Sequence, residues 1–169
     1  MSDTIQDMHI LYRYFFLYIE PLSALVGAWY AFFLPAHYLA LLSAAPYNPS
    51  IALTPGPPAP TTIALFQLAN LYLFFALVEH LVLGATSSRR VWRRLLFCML
   101  LADFGHLATM RPLAREKADL GRAGLAEVYL HFWKWSAMEW GSVGFVYAGA
   151  LMRTSFLLGI GVGTKSRVQ

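Results

Sequence analysis

"LLFCMLLADFGHLATMRP", residues 95–112, is an apolar run with an acid, Asp103, and a base, His106, inside it. Its other positions are mostly leucine, methionine, alanine, phenylalanine and glycine, so no face of a helix built from it is ordinary polar surface. A soluble helix keeps its charges on one wet stripe. A run like this belongs in apolar surroundings, and the rest of the chain agrees. The 169 residues are 58% hydrophobic and 13% charged, with mean hydropathy +0.52. Soluble domains run about 45–50% apolar and about 25% charged.

Apolar runs near the length that crosses a ~30 Å hydrocarbon core recur at residues 14–34, 62–85, 91–110 and 136–160. The expected fold is all-α: a polytopic transmembrane bundle of four helices, forming one domain over residues 1–169. The N-terminus "MSDTIQDMHILYRYF" carries acids where a secretory signal has a positive region, and the apolar run after it is too long for one. Cys98 is the single cysteine, so no internal disulfide forms.

The first connection, residues 35–61, holds six of the nine prolines between Pro46 and Pro60. It reads as an extended luminal loop, because proline fixes φ and removes a donor. Its Asn48-Pro49-Ser50 is no glycosylation site, since proline occupies the forbidden middle position. The second connection is short and basic. The third, from Arg111 to Trp135, mixes both signs and reads as an interfacial helix. Eight of the thirteen Lys and Arg fall on one side, among them Arg13, Arg89, Arg90, Arg93, Arg94, Lys165 and Arg167. The positive-inside rule then places both termini in the cytosol, the membrane being that of the endoplasmic reticulum. The net charge of +4 sets topology and does not point to nucleic acid. Trp92, Trp133, Trp135 and Trp140 sit where interface anchors belong.

Each expected span carries one carboxyl group: Glu20, Glu79, Asp103 and Glu139. An acid in a bilayer is costly, faces the bundle interior and marks function by default. At ~1.5 Å per residue, Glu20 and Glu79 lie about 10 Å from the cytosolic edge and Asp103 about 18 Å. On the same rise His106, Asn70 and Tyr147 fall about 20–22 Å deep. Asp103 and His106 are i,i+3 and share a face. Glu20 has a competing role as partner of Arg13, and Glu139 as partner of Arg111 or Lys134. His80 reads as a packing histidine, and Arg153 as a side chain snorkelling to the cytosol. Pro21 leaves the carbonyl of Leu17 without its helical donor, which either bends the helix or opens the bundle beside Glu20.

An acid and a base around an apolar cavity suit three reactions that need no cofactor: double-bond isomerisation, epoxide opening by water, and cyclisation begun by protonating an epoxide or alkene. The candidate catalytic residues are Asp103, His106, Glu79, Glu139 and Tyr147; the candidate substrate contacts are Glu20, Asn70, Tyr72, Phe104 and Arg111. There is no HExxH, no CxxC and no Gly-rich phosphate loop, and the spacing of Glu79, His80, Asp103 and His106 matches no metal-ligand pattern. Neither a metal nor a cofactor is expected. The expected partners are a lipophilic small molecule and membrane lipids, and a homo-oligomer is left open.

Two segments, "RRVWRRLLFCMLLADFGHLATMRP" (residues 89–112) and "HFWKWSAMEWGSVGFVYAGALMR" (131–153), together with "ALVEH" (76–80), resemble a family of small fungal integral membrane proteins with four spans. Some relatives of that family sit in secondary-metabolite pathways, including membrane-bound epoxide hydrolases or cyclases of aurovertin- and citreoviridin-type polyene pyrones. The resemblance implies an epoxide hydrolase or cyclase acting on a polyketide or terpenoid. A more distant likeness, in layout only, is to the sterol-isomerase-like fold of emopamil-binding proteins and the sigma-2 receptor. No motif string supports it, and no catalytic residue is carried across. The competing reading is a sterol isomerase or a lipid-binding membrane protein without turnover.

Overall fold

The structure, a computed structural model, describes residues 8–45 and 56–163, and every helix and turn among them builds an all-helical fold. Four long helices dominate: α1 (Ile10–Phe33), α3 (Ala59–Leu83), α4 (Arg89–Thr109) and α7 (residues 137–157). Each boundary lies within four residues of the expected one. Between them come α2 (Pro35–Leu42), α5 (Arg111–Asp119) and α6 (Leu125–Tyr129).

Of the four, α1 and α3 are long and apolar enough to cross a membrane. Helix α4 opens with Arg89, Arg90, Arg93 and Arg94, so its apolar run begins only at Leu95. Helix α7 carries Glu139 and Arg153 and is widened by a π-helical turn at Trp140–Gly144.

The expected loop over residues 35–61 is corrected at its start. Residues 35–42 form α2, with Pro35 in the first turn, where its missing N–H costs nothing. Asn48-Pro49-Ser50 lies outside the described residues. The expected interfacial helix is two short ones, α5 and α6, packed on each other. Gly124 enters α6 at φ +55°, and a Cβ there would lie 3.2 Å from the carbonyl oxygen of Ala114, so the turn needs glycine.

Helix α1 packs along α3, and α4 along α7. The pairs are joined by a cluster that draws on all four helices: Phe16 and Tyr12 from α1, Leu83 from α3, Trp92 and Leu96 from α4, and Phe156 from α7. Both ends of the described chain meet here. The Tyr12 hydroxyl donates to the Ile160 carbonyl at 2.8 Å, and the His9 N–H to that of Gly161 at 2.9 Å. Arg93 donates to the carbonyl of Leu157 at 2.8 Å. A second cluster, of Met110, Leu113, Val128 and Val143, closes the opposite end. The outward faces carry exposed Leu22, Trp29, Phe74, Leu101 and Leu151.

Candidate functional site

Arg153 lies in the middle of the molecule, 1% exposed, with one carboxyl group converging on it from each of the other three long helices. Its Nη1 donates to Asp103 Oδ2 at 2.9 Å. Its Nη2 donates to Glu20 Oε1 at 2.5 Å and to Glu79 Oε1 at 3.0 Å. The Met99 sulfur is 3.9 Å from the same nitrogen, and the guanidinium carbon lies 5.5 Å from the centre of the Phe16 ring, within cation–π range. A helical side chain leans back over the preceding turn, and for Arg153 that turn presents Gly149. A Cβ on Gly149 would sit 2.6 Å from Nη1 and 3.3 Å from Glu20 Oε1. The missing side chain at 149 is what lets the guanidinium reach the centre.

The charges do not balance. Three carboxylates against one guanidinium leave two negative charges over if all are ionised, and apolar surroundings penalise such an excess heavily. The arrangement is thus suited to hold transferable protons or to take up a cation. Glu20 Oε2, Glu79 Oε2 and Arg153 Nε are buried without a hydrogen-bond partner among the described residues. Access is graded: the side chains of Glu20 and Asp103 are 14% and 12% exposed, while Glu79 and Arg153 are at 1%.

The backbone around the site is also irregular. Helix α1 makes a π-helical turn at Phe15–Ile19 and α3 another at Val78–Leu83, and the two turns pack together. Such turns often mark functional positions. Pro21 cannot donate to Leu17, and His80 takes over: its Nδ1 lies 2.8 Å from the Leu17 carbonyl oxygen. The carbonyl can only accept, so Nδ1 bears the proton. His80 is therefore a clamp between α1 and α3, beside Glu20 and Glu79.

Of the candidates read from sequence, Glu20, Glu79 and Asp103 come together. His106 lies one turn along α4, its Nε2 buried and without a hydrogen-bond partner among the described residues. The expected Asp103–His106 pair is replaced by Asp103–Arg153, because the guanidinium offers a charge and the imidazole only a dipole. Arg153 does not snorkel; α7 turns it inward, toward three acids. Glu20 goes to Arg153 rather than Arg13.

The other candidates lie elsewhere. Glu139 is fourteen residues from Arg153 on α7, about 21 Å along the axis. It caps the helix with Ser136 and pairs with Lys117. The Tyr147 hydroxyl donates to the Tyr129 carbonyl at 3.0 Å and ties α7 to α6. Tyr72 shares a 3.3 Å hydroxyl contact with Tyr38. Asn70 and Phe104 are exposed on their helices, and Arg111 lies beyond the end of α4.

A second charged node closes that far end. Buried Lys117 of α5 pairs with Glu139 and lies 3.4 Å from Glu127, which also pairs with Arg122. Burial pushes the Glu127 carboxyl up, but the Arg122 hydrogen bond and the charges of Lys117 and Arg122 outweigh it, holding it below its usual range. A carboxyl depressed in the folded state stabilises above its unfolded value and loses that contribution as pH falls through the folded one. Glu127→Gln should therefore lower the melting temperature most at neutral pH. The gap to wild type should begin to close only as pH falls below the ordinary glutamate value of about 4.3, as followed by thermal unfolding.

Arg153, expected at the cytosolic edge, is the centre of the site. Its sequence signal is that it is the one Lys or Arg inside the 136–160 run, opposite three runs that each hold an acid. The fold and site thus define an all-helical protein with a buried arginine–carboxylate centre. The chain belongs to the family described as a domain of unknown function, DUF7704, whose model matches residues 5–163. Comparison with curated proteins and with solved structures gave no match.

Proposed function

We propose that the protein is an integral membrane protein of four spans, and that its arginine–carboxylate centre is the acid/base site of a cofactor-independent enzyme. Two helices of spanning length and the apolar outer faces of the bundle support the membrane placement. The two ends of the described chain meet on the side that carries Arg13 and Arg89–Arg94. That arrangement favours cytosolic termini, in the membrane of the endoplasmic reticulum.

The observation that carries the reading is the convergence of Glu20, Glu79 and Asp103 on one buried guanidinium. The substrate class that best fits is a lipophilic polyketide or terpenoid epoxide. A carboxyl proton passes to the epoxide oxygen as its C–O bond breaks. Water, or a hydroxyl of the substrate, attacks the carbon and gives its own proton to a neighbouring carboxylate, which restores the proton count. Glu20 and Asp103, at the accessible edge, are placed to touch the substrate. Glu79 is the deeper reservoir, and Arg153 spreads the charge that moves. The same excess of acid supports a second reading, in which the centre grips a lipophilic ammonium ligand without turnover, as a binding protein would.

Microsomes holding the protein, fed a panel of polyene and terpenoid epoxides in water enriched in heavy oxygen, test the choice. The enzyme reading expects products that microsomes lacking the protein do not make. Label in the product means hydrolysis, and its absence means cyclisation. Folded protein that yields no product, but is stabilised saturably by a lipophilic amine, would establish the second reading instead.

A further inference from the structure

At the end of the bundle opposite the chain termini, α4, α5 and α6 enclose an open groove of about 840 Å³. Phe104, Leu107 and Ala108 of α4 form one wall, and Ala114 and Ala118 of α5 leave its floor low. Three arginines, Arg111, Arg115 and Arg122, stand around it, and no acid is among the residues that line it.

Arg111 and Arg115 are i,i+4 on α5 and share one face. Both are exposed, and neither has an ion pair or hydrogen bond among the described residues. Arg122 is already tied to Glu127 and to the carbonyl of Ala44, which fixes its guanidinium at the rim. The apolar wall runs on along α4 to Leu101 and Phe104, each 57% exposed.

From this we infer that the groove is a binding site for an anionic phospholipid. The phosphate sits between Arg111 and Arg115, with Arg122 behind, and one acyl chain lies along Leu101, Phe104 and Leu107. The charge fixes the headgroup: guanidinium forks match phosphate oxygens in pairs, and a groove lined by three arginines and no acid favours a lipid with net negative charge over a zwitterionic one, whose ammonium group it would face unfavourably. The apolar wall fixes the ligand as a lipid rather than a soluble phosphate. The inference rests on the membrane placement proposed above, but not on the chemistry of the Arg153 centre, and it is read by binding alone.

The test titrates the full chain in mild detergent with short-chain phosphatidylglycerol, and separately with phosphatidylcholine of the same chains, counting retained lipid by native mass spectrometry. Wild type should retain one phosphatidylglycerol saturably and in preference to phosphatidylcholine. Arg111→Gln/Arg115→Gln should weaken that retention roughly twenty-five-fold, at about fivefold for each arginine beside an anionic headgroup. Arg90→Gln/Arg94→Gln, at the other end, should leave it unchanged. Wild type alone keeps the proposal falsifiable. Equal retention of both lipids, or displacement by glycerol phosphate at the concentration where phosphatidylglycerol binds, would overturn it, and so would equal weakening by the two double variants.

Discussion

Arg153→Met should lower the stability of the protein by about 3–5 kcal/mol, the usual cost of removing one partner from a buried ionic group. Against a typical total of about 5–15 kcal/mol, that is a large share of what keeps the protein folded. Methionine fills much of the same volume, so the loss is electrostatic rather than a cavity. Three carboxyl groups would be left facing each other around apolar atoms, with Asp103, Glu20 and Glu79 all deprived of their donor. The compensated variant separates this from a packing defect. Adding Glu20→Gln, Glu79→Gln and Asp103→Asn to Arg153→Met removes the uncompensated charge and should recover a substantial part of the loss. Thermal or denaturant unfolding in mild detergent measures both. A single variant as stable as wild type would show that the centre does not hold the bundle together.

The second large effect is on chemistry. Asp103→Asn keeps the shape of the side chain and an acceptor for Arg153 Nη1, so the fold should survive. The group can then neither give nor take a proton. Removing a positioned general acid or base costs about 10²- to 10⁴-fold in rate, and turnover of an accepted epoxide should fall by that factor. Glu79→Gln should also slow turnover, but its side chain is 1% exposed and reaches the substrate only through its neighbours, so the loss should be smaller. Such a graded pattern follows from the depth of the three acids. A merely structural centre would show loss of folded protein and no change in turnover per folded molecule.

Much of this architecture was legible in the sequence. A long apolar run satisfies its own backbone N–H and C=O groups as a helix, and the four runs are the four long helices, with boundaries close to those expected. The same logic picked out Glu20, Glu79 and Asp103, because an acid in an apolar run is expensive enough to require a partner. What the sequence could not display is which faces meet. Arg153 sits seven residues from the end of its expected run, near enough to water to suggest snorkelling. Only the packing of α7 on α4, with Gly149 vacating the preceding turn, aims it inward. The partner of Glu139 is Lys117 rather than Arg111 or Lys134 for the complementary reason: Lys117 lies in a connection that folds back over the helix ends before the two meet. Pro35 begins α2, because proline breaks a helix only beyond its first turn. The carbonyl that Pro21 frees at Leu17 is the one that His80 takes.

The central claim is that proton chemistry resides in the Arg153 centre and not in the chain's other buried acids. Its most direct test is turnover per folded molecule, on one epoxide, by wild type, Asp103→Asn and Glu139→Gln. The account predicts that Asp103→Asn is nearly inactive. Glu139→Gln, altered at a helix cap about 21 Å away along α7, should turn over at close to the wild-type rate for each molecule that folds. Equal rates for all three, or inactivity confined to Glu139→Gln, would contradict it.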